Sequence, residues 1–503
     1  MKKFLILITA GLLAAVSCED SFDVKYTGYL TGSSASDMVE EDPTFLNSYV
    51  QGLYTWMVTP GISYDGHDDF GFLSCTMCTD FMGVDIALNG TQNWGYFDYM
   101  FQYGGAIYVR SYQMWSEFFT LINNANTIID FFGTSEPGDA TARGYLGQAY
   151  AIRAFAYTYL IQLFQDPVTT SGELNANAPT VPLVYASRDG MSADEVSARQ
   201  GRVPMNLVME HIEYNITQAL NYLNGYSRSS KNEIDYSVAQ GIAARYYLLT
   251  QQWENAAAAA NAAKQGYQLM DQARLQSGFM DVEDAEVMWG FNQTTETQTT
   301  YASFFSQMSN DSPGYAGLDQ MSKCIDRGLY DQIPNSDWRK SLFNGADGDP
   351  SASADTPGAQ RPYAARKFGY MDQWLQDYIY MRAAEMYLIE AEAYARLGDG
   401  RASTVMSELM AQRNPAWSAS ATVDEILLQR RIELWGEGFS YFDLRRTGTG
   451  INRSYTGTNH TAESRISVEA HSNLWWFQIP QTEMDNNDFI NDDEQNPYED
   501  PNA

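Results

Sequence analysis

The chain is poor in histidine, cysteine and positive charge. Its 503 residues include only four histidines, which leaves little room for His-dependent catalysis or a multi-histidine metal site. Lysine and arginine number 31 against 63 aspartates and glutamates, so the formal net charge is −32. A surface this acidic repels phosphate backbones, which argues against nucleic acid as a ligand.

Cysteine is equally scarce. Apart from Cys18 there are Cys75, Cys78 and Cys324. Cys75 and Cys78 have the spacing of a redox motif or half a zinc site, but zinc needs a second pair and Cys324 stands alone. A thioredoxin-like motif would need a surrounding βαβ pattern, which is not visible. We therefore predict packing thiols or an incidental disulfide, and neither a metal ion nor a cofactor.

Long apolar runs are missing after the N-terminus. Lys2 and Lys3 precede the apolar residues 4–16, a run shorter than the ~20 residues of a membrane helix and typical of a secretory signal. Cys18 follows directly after small residues, as in a bacterial lipobox. The sequence predicts a signal peptide over residues 1–17 and an acylated Cys18. The alternative is ordinary cleavage with an incidental cysteine.

The dominant positive signal is helical. Apolar residues recur at intervals of three and four, which is typical of helices with one buried face. The predicted helical segments are 44–57, 109–132, 142–164, 206–223, 237–265 and a hairpin over about 380–410. They pair through small residues and short turns, as tetratricopeptide repeats do, but their irregular spacing excludes a uniform solenoid.

Loop-rich insertions separate these helices. Residues 64–103 mix Gly, Asn, Asp and aromatics without a helical period, and residues 345–362 are rich in Gly, Ala, Ser, Asp and Pro. Residues 287–289 predict a short strand. The predicted fold is therefore mainly α, built from about three or four divergent helical hairpins with large insertions and a few short strands.

Several segments resemble one known family. Residues 381–393 and 429–446 are similar to the Arg–Glu–Tyr-Leu–Glu-Ala-Glu-Ala helix and the Arg–Glu-Leu–Glu-Gly–Asp-Leu-Arg block of the SusD/RagB nutrient-capture lipoproteins. Residues 149–157 resemble that family's Leu-Arg-Ala helix. Residues 477–487 and 495–497 resemble its Ile-Pro–Glu–Asn and Gln-Asn-Pro ending. The ordered set runs across most of the chain.

The resemblance implies one SusD-like domain over residues 18–503. Its parts would be a helical scaffold over about 40–60, 106–166, 203–268 and 378–446, ligand-binding insertions over about 61–105 and 284–375, and a C-terminal segment over 447–503.

The resemblance to this family also implies ligand binding without catalysis. A lipid-anchored protein at the surface of the outer membrane would bind a glycan and deliver it to a SusC-like TonB-dependent transporter. Capture of peptides, as by RagB-like members, is the alternative. A glycoside hydrolase is a further one, but it needs two carboxylates ~5–9.5 Å apart and no motif for such a pair is visible.

Aromatic residues beside amides mark the candidate ligand site. An aromatic ring can stack on the apolar face of a sugar while amides bind its hydroxyls. Asn93, Trp94 and Tyr96 have this composition, and an extended backbone would point Trp94 and Tyr96 to one side. The alternative is that these rings pack the insertion against the scaffold.

Two further residues complete the predicted site. Asp68 lies in the turn-like cluster 64–69, where its alternative role is a solvated turn. Tyr301 follows a threonine-rich loop and could complete a cleft.

Overall fold

The structure is a computed structural model that describes residues 42–61 and 63–499. The predicted signal peptide and Cys18 lie outside these residues. Within them, no helix has both the length and the apolar composition that a bilayer span requires.

Helices dominate the described chain, which confirms the predicted fold class. In chain order they are α1 (Asn47–Trp56), α2 (Phe72–Met82), α3 (Tyr96–Tyr99), α4 (Val109–Phe131), α5 (Ala140–Leu163), α6 (Ala193–Ser197), α7 (Met205–Leu223), α8 (Tyr236–Leu249), α9 (Trp253–Ala263), α10 (Gln272–Leu275), α11 (Phe304–Met308), α12 (Arg327–Tyr330), α13 (Ala383–Arg396), α14 (Arg401–Ala411), α15 (Val423–Glu433), α16 (Ser440–Arg446) and α17 (Gln481–Asn486).

Over residues 42–61 and 63–499, short strands pair in three antiparallel ladders. The strands are β1 (Ile86–Leu88), β2 (Val287–Phe291), β3 (Lys323–Ile325), β4 (Tyr378–Arg382), β5 (Ile451–Asn452) and β6 (Ser467–Val468). β1 pairs with β3, β2 with β4, and β5 with β6. The β1–β3 ladder sets Leu88 opposite Lys323 and so joins the two predicted insertions.

The long helices pack in the predicted hairpin manner. α4 packs on α5, α5 on α7, α8 on α9, α9 on α13, and α13 on α14. Small residues permit the close approach: a Cβ added at Gly147 of α5 would lie 2.7 Å from a side-chain carbon of Leu223 in α7. The predicted bounds of α4, α5 and α7 are correct to within two residues.

Two predicted segments are wrong in detail. Residues 237–265 form two helices rather than one, because Gln251 adopts a left-handed φ of 58° that no α-helix accommodates. The helix expected near residue 381 begins at Ala383, since residues 378–382 form β4 beside the predicted strand β2.

The first insertion contains a helix that its sequence pattern does not predict. Every residue of α2 is buried. A helix that is enclosed on all sides has no polar face, so its sequence carries no amphipathic period. Residues 64–103 thus contain α2 and the short α3, although their sequence shows no helical period.

A buried ion network ties the scaffold together. Glu433 of α15 accepts from Arg382 at 2.7 Å, from Arg413 at 2.9 Å and from Arg339 at 3.1 Å. Glu286 accepts from Arg382 and Arg413 as well, at 2.6 and 2.9 Å. All five side chains are almost fully buried. The charged residues of two family-like motifs, Arg382 and Glu433, thus hold helices and strands together inside the protein.

Glu117 of α4 is buried, and none of the described lysines and arginines forms an ion pair with it. No partner within normal hydrogen-bond geometry is found for its Oε1 atom among the described residues. Burial raises the pKa of Glu117 well above its ordinary value, Asp69 adds to the rise, and Trp56 lowers it by less. The folded protein therefore favours the protonated acid, and this group costs stability as pH rises above its unfolded value near 4.5.

Replacing this acid with its neutral analogue should stabilise the protein. Glu117→Gln is expected to raise the free energy of unfolding at pH 8 by at least about 1 kcal/mol. The amide is neutral at every pH, so its burial carries neither the cost of a buried charge nor the cost of keeping an acid protonated at pH 8. Denaturant unfolding at pH 8 and pH 4 measures the difference. The gain must shrink towards pH 4, where the wild-type acid is protonated in both states; a gain of equal size at both pH values would contradict this reading.

Candidate ligand-binding site

Four aromatic side chains converge on one surface. His67 lies 5.5 Å from Trp94, 5.8 Å from Tyr301 and 5.7 Å from Tyr315, measured between ring centroids. Trp94 and Tyr301 each approach Tyr315, at 5.8 and 5.6 Å. Tyr301 is 51 % exposed, and the other three are half-buried. We call these residues the ring cluster.

Four different loops supply these rings. His67 lies between α1 and α2, Trp94 between β1 and α3, Tyr301 between β2 and α11, and Tyr315 between α11 and β3. His67 Nδ1 and the Tyr315 hydroxyl share a 2.5 Å hydrogen bond, and Gln307 Nε2 donates to the His67 carbonyl at 2.9 Å. These bonds join the His67 loop to the Tyr315 loop and to α11.

A buried lysine anchors the Trp94 loop. Lys323 Nζ donates to Asn93 Oδ1 at 2.5 Å and to the Met321 carbonyl at 3.1 Å. Burial lowers the pKa of Lys323 to about 7. The Asn93 side chain is itself buried, and its amide also reaches the Gln320 carbonyl at 3.4 Å. Its groups are therefore engaged in holding the loop beneath Trp94 rather than facing an incoming ligand.

The carboxylate of Asp68 is likewise engaged. Arg110 Nη2 donates to Asp68 at 2.6 Å, and Arg110 Nε donates to Asp98 at 2.8 Å. The Tyr64 hydroxyl donates to Asp68 too. We call Arg110, Asp68 and Asp98 the carboxyl clamp. All three are buried, so Asp68 is neither a solvated turn residue nor open to a ligand in this arrangement.

Cys78 lies beside the carboxyl clamp. Its sulfur and the oxygens of Asp68 and Asp98 are within 4.8 Å of one another, a spacing that could hold a metal ion. Arg110 already supplies positive charge there, and burial raises the pKa of Cys78 well above its usual value, which keeps it a thiol. Cys75, Cys78 and Cys324 are free and buried, as expected of packing thiols rather than a disulfide.

Tyr96 does not join the ring contacts of the cluster. The backbone turns at this point, with Tyr96 N donating to the Asn93 carbonyl at 3.0 Å, so the extended conformation expected for these residues is wrong. Tyr96 is half-buried and meets Phe97 edge-on at 6.1 Å. Trp94 and Tyr301 therefore remain candidates, joined by His67 and Tyr315, which the sequence did not single out.

Part of the chain matches the sequence model of a known protein family. Residues 370–498 match the sequence model of the SusD family. The resemblance indicated by the motifs is confirmed. A search among curated protein sequences finds no match.

Solved structures share the fold over nearly the whole chain. A SusD-like carbohydrate binding protein from Bacteroides vulgatus is 22% identical, with a TM-score of 0.74, over 93% of this chain and 99% of its own. A laminarin binding SusD-like protein is 19% identical, with a TM-score of 0.66, over 91% and 99%. Surface glycan-binding protein A from Bacteroides thetaiotaomicron is 16% identical, with a TM-score of 0.67, over 90% and 98%. At these identities the likeness establishes the fold.

Proposed function

We propose that this chain, which has the fold of SusD-like proteins, is a cell-surface lipoprotein that captures a glycan on the ring cluster. It delivers the glycan to a SusC-like TonB-dependent transporter and does not alter it. One observation carries the proposal: four rings, drawn from four loops, meet on one surface and are held there by their own contacts.

The chemistry of the cluster suits a sugar. The half-exposed Tyr301 ring offers a flat apolar face that can bury sugar C–H groups. Thr91 and Gln92 are exposed in the Trp94 loop, and their side chains can bond hydroxyls around the rim of a sugar. Because a hydrogen bond already joins the His67 loop to the Tyr315 loop, less ordering is needed on binding, which favours affinity.

The alternatives have less support. A peptide groove gains affinity from main-chain hydrogen bonds, whereas this site presents ring faces. Two neighbours in fold are described as binding laminarin or surface glycans, which also favours glycan. Hydrolysis would need a carboxylate free to act, and Asp68, the acid next to His67, is committed to Arg110. Binding without chemistry is the better account.

Lipid anchoring rests on the N-terminal sequence. Residues 1–17 and Cys18 have the features of a lipoprotein signal. Cys18→Ala expressed in the native host should leave the membrane fraction, and radiolabelled fatty acid should label only the wild type. Retention of unlabelled protein in the membrane would contradict acylation at this position.

Removal of the tryptophan ring tests the site. Trp94→Ala should weaken glycan binding by about 1–3 kcal/mol, the usual cost of losing a buried aromatic contact. Isothermal titration calorimetry measures the change. Trp417→Ala is the matched control, because Trp417 is also half-buried but lies beyond α14 and donates to Glu425. Equal affinities for the two variants would contradict the site.

A binding screen tests the ligand class. The mature protein is passed over immobilised polysaccharides, including laminarin, and over peptides prepared by limit digestion of protein. Retention by a polysaccharide supports glycan capture, and retention by peptides alone contradicts it. New reducing ends after long incubation with the bound polysaccharide would contradict binding without chemistry.

A further inference from the structure

A groove outside the ring cluster lies along α4. It has a volume of about 550 Å³ and is lined by residues of α4, of the segments 182–185 and 196–200, and of the C-terminal segment 483–489. We call it the α4 groove. Its volume is within the roughly 300–1,000 Å³ of typical small-ligand sites. None of the four ring-cluster residues lines it, so a ligand bound there would meet a different set of side chains.

α4 separates this groove from the carboxyl clamp. Arg110, in the first turn of α4, binds Asp68, the neighbour of His67 in the ring cluster. Phe119 lies nine positions later, which is about two and a half turns at about 3.6 residues per turn, so its side chain points to the opposite side of the helix. Phe119 lines the α4 groove. The groove and the ring cluster therefore lie on different sides of α4.

Aromatic rings supply the apolar part of the α4 groove. The rings of Trp115 and Phe119 lie 4.5 Å apart between centroids, with 34° between their planes. Phe489 enters from the C-terminal segment and is 48 % exposed. Phe119 and Tyr185 are half-buried. Ring faces of this kind can bury the C–H groups of a sugar.

Polar groups without a partner stand beside these rings. Within residues 42–61 and 63–499, no hydrogen-bond partner is found for the Trp115 indole N–H or for the side-chain amides of Asn123 and Gln200. Trp115 is 93 % buried, since only 7 % of it is exposed, but its N–H is not among the fully enclosed polar atoms. Both amides are exposed. An indole N–H donates, and an amide both donates and accepts, which suits hydroxyl groups.

Contacts between the segments shape the α4 groove. Asn487 Nδ2 donates to the Gln200 carbonyl at 3.0 Å, which ties the C-terminal segment to the segment 196–200. A Cβ added at Gly201 would lie 2.3 Å from the Phe489 carbonyl oxygen, so glycine permits the close approach of these two backbones. The groove is therefore part of the fold, and less ordering is needed on binding.

The charged residues that line the α4 groove are acidic. They are Glu483 and Asp488, and no lysine or arginine is among the described lining residues. Glu483 accepts from Asn487 Nδ2 at 2.8 Å, whereas Asp488 is exposed. Like charges across a binding surface cost affinity. An anionic ligand is therefore disfavoured, and a neutral one fits.

We infer that the α4 groove is a second binding site of this chain, and that it takes a short neutral saccharide. The inference goes beyond the proposed function, which places one ligand in the ring cluster. Phe119 and Phe489 would cover the apolar faces of the sugar. The Trp115 N–H and the amides of Asn123 and Gln200 would bond its hydroxyls.

Removal of one ring from each site tests the inference. Arrays of short neutral and acidic oligosaccharides are probed with Trp94→Ala, in which the ring cluster is weakened. This variant should still retain neutral oligosaccharides. Adding Phe489→Ala should weaken binding of the best retained neutral oligosaccharide about tenfold in calorimetric titration, since an exposed ring at a binding site contributes on this scale.

Matched variants control for exposure and for folding. Tyr236→Ala in the Trp94→Ala background removes a ring that is 39 % exposed at the start of α8, and it should leave the remaining affinity unchanged. Asn123→Ala combined with Gln200→Ala removes only exposed amides and should weaken binding in the same background. Equal melting temperatures of all variants with Trp94→Ala would exclude misfolding as the cause of lost affinity.

The outcomes separate this inference from the proposed function. If Trp94→Ala alone abolishes all binding that the wild type shows, the second site is overturned while glycan capture at the ring cluster stands. The second site is also overturned if Phe489→Ala has no more effect than Tyr236→Ala, or if it impairs only capture of a protein partner. If Trp94→Ala binds as the wild type does and Phe489→Ala abolishes binding, the α4 groove stands and the ring cluster falls.

A wild type that retains no oligosaccharide would overturn both.

Discussion

Glu433→Ala is expected to lower the free energy of unfolding by about 3–5 kcal/mol, the range measured when one partner of a buried ion pair is removed. Three guanidinium groups, those of Arg339, Arg382 and Arg413, bind the Glu433 carboxylate. Without the Glu433 carboxylate, Arg382 and Arg413 still bind Glu286. The three buried guanidinium groups then have one carboxylate fewer to neutralise them, which destabilises the folded state. Thermal and denaturant unfolding at pH 7 measure the loss.

The pH dependence of this loss of stability shows whether the Glu433 charge causes it. The three guanidinium groups outweigh burial and hold the pKa of Glu433 well below its ordinary 4.5. The stability from this carboxylate is therefore fully present above about pH 4.5 and is lost as pH falls through the lower folded-state value. The difference between wild type and variant should stay constant from pH 8 to pH 5 and narrow only in stronger acid.

An exposed glutamate provides the control. Glu408 has a half-exposed side chain and lies 3.9 Å from Lys264. Glu408→Ala should cost less than about 1 kcal/mol. If Glu433→Ala also costs less than about 1 kcal/mol, solvent or a rearrangement must stabilise the three arginines in the variant. The ion network would then contribute little to the free energy of unfolding.

This network shows what the motifs could and could not predict. The order of motifs around Arg382 and Glu433 indicated the family, and the three-and-four spacing of apolar residues predicted α4, α5 and α7. The partners Glu286, Arg339 and Arg413 carry no signal in the sequence, because nothing in their neighbouring residues links them to Arg382 or Glu433. Their pairing depends on the tertiary fold, which local patterns do not encode.

The sequence predicted those members of the ring cluster whose neighbours along the chain suit sugar binding. Trp94 and Tyr301 stand beside short polar residues, and the structure brings both into the cluster. His67 lies next to Asp68, but the carboxylate was the more obvious candidate, and only the structure reveals its commitment to Arg110. Tyr315 follows a Pro-Gly turn, and its contacts with His67 and Trp94 cross more than 200 positions of the chain.

The structure gives Asn93 and Tyr96 contacts within the protein that composition did not indicate. Composition predicted that both would face a ligand, yet local hydrogen bonds turn the backbone at residues 93–99. The Asn93 side chain accepts a hydrogen bond from Lys323, which lies more than 200 residues away along the chain, and is therefore buried beneath the loop. A polar residue beside a tryptophan can bind a ligand or hold the loop, and burial decides between these roles.

Arg110→Met is expected to destabilise the protein by about 3–5 kcal/mol at pH 8, because it leaves Asp68 and Asp98 buried without their cation. Methionine fills much of the same volume, so the loss reports charge rather than a cavity. Unfolding by denaturant measures it. Arg274→Met is the control: its side chain is 46% exposed beside Asp281 and Asp284, and its loss should stay below about 1 kcal/mol.

The destabilisation by Arg110→Met should shrink as pH falls, as for Glu433→Ala, but it should begin to shrink at a higher pH. Burial already raises the pKa of Asp98, and Arg110 lowers it by less. Without Arg110 the folded variant favours the protonated acid still more. Its stability is therefore greatest below the unfolded value near 3.8 and falls as pH rises towards the higher folded-state value. The destabilisation should be smaller at pH 4.5 than at pH 8.

A second substitution joins this stability effect to binding. Asp98→Asn in the Arg110→Met background removes one of the two uncompensated charges, so it should restore part of the stability at pH 8. It does not restore the link between the loop of His67 and Asp68 and the segment that carries Trp94 and Asp98. Glycan affinity of the double variant should therefore stay below that of wild type even where its fold is intact. Full recovery of affinity together with stability would show that the carboxyl clamp contributes to the fold alone, and that the ring cluster binds glycan without it.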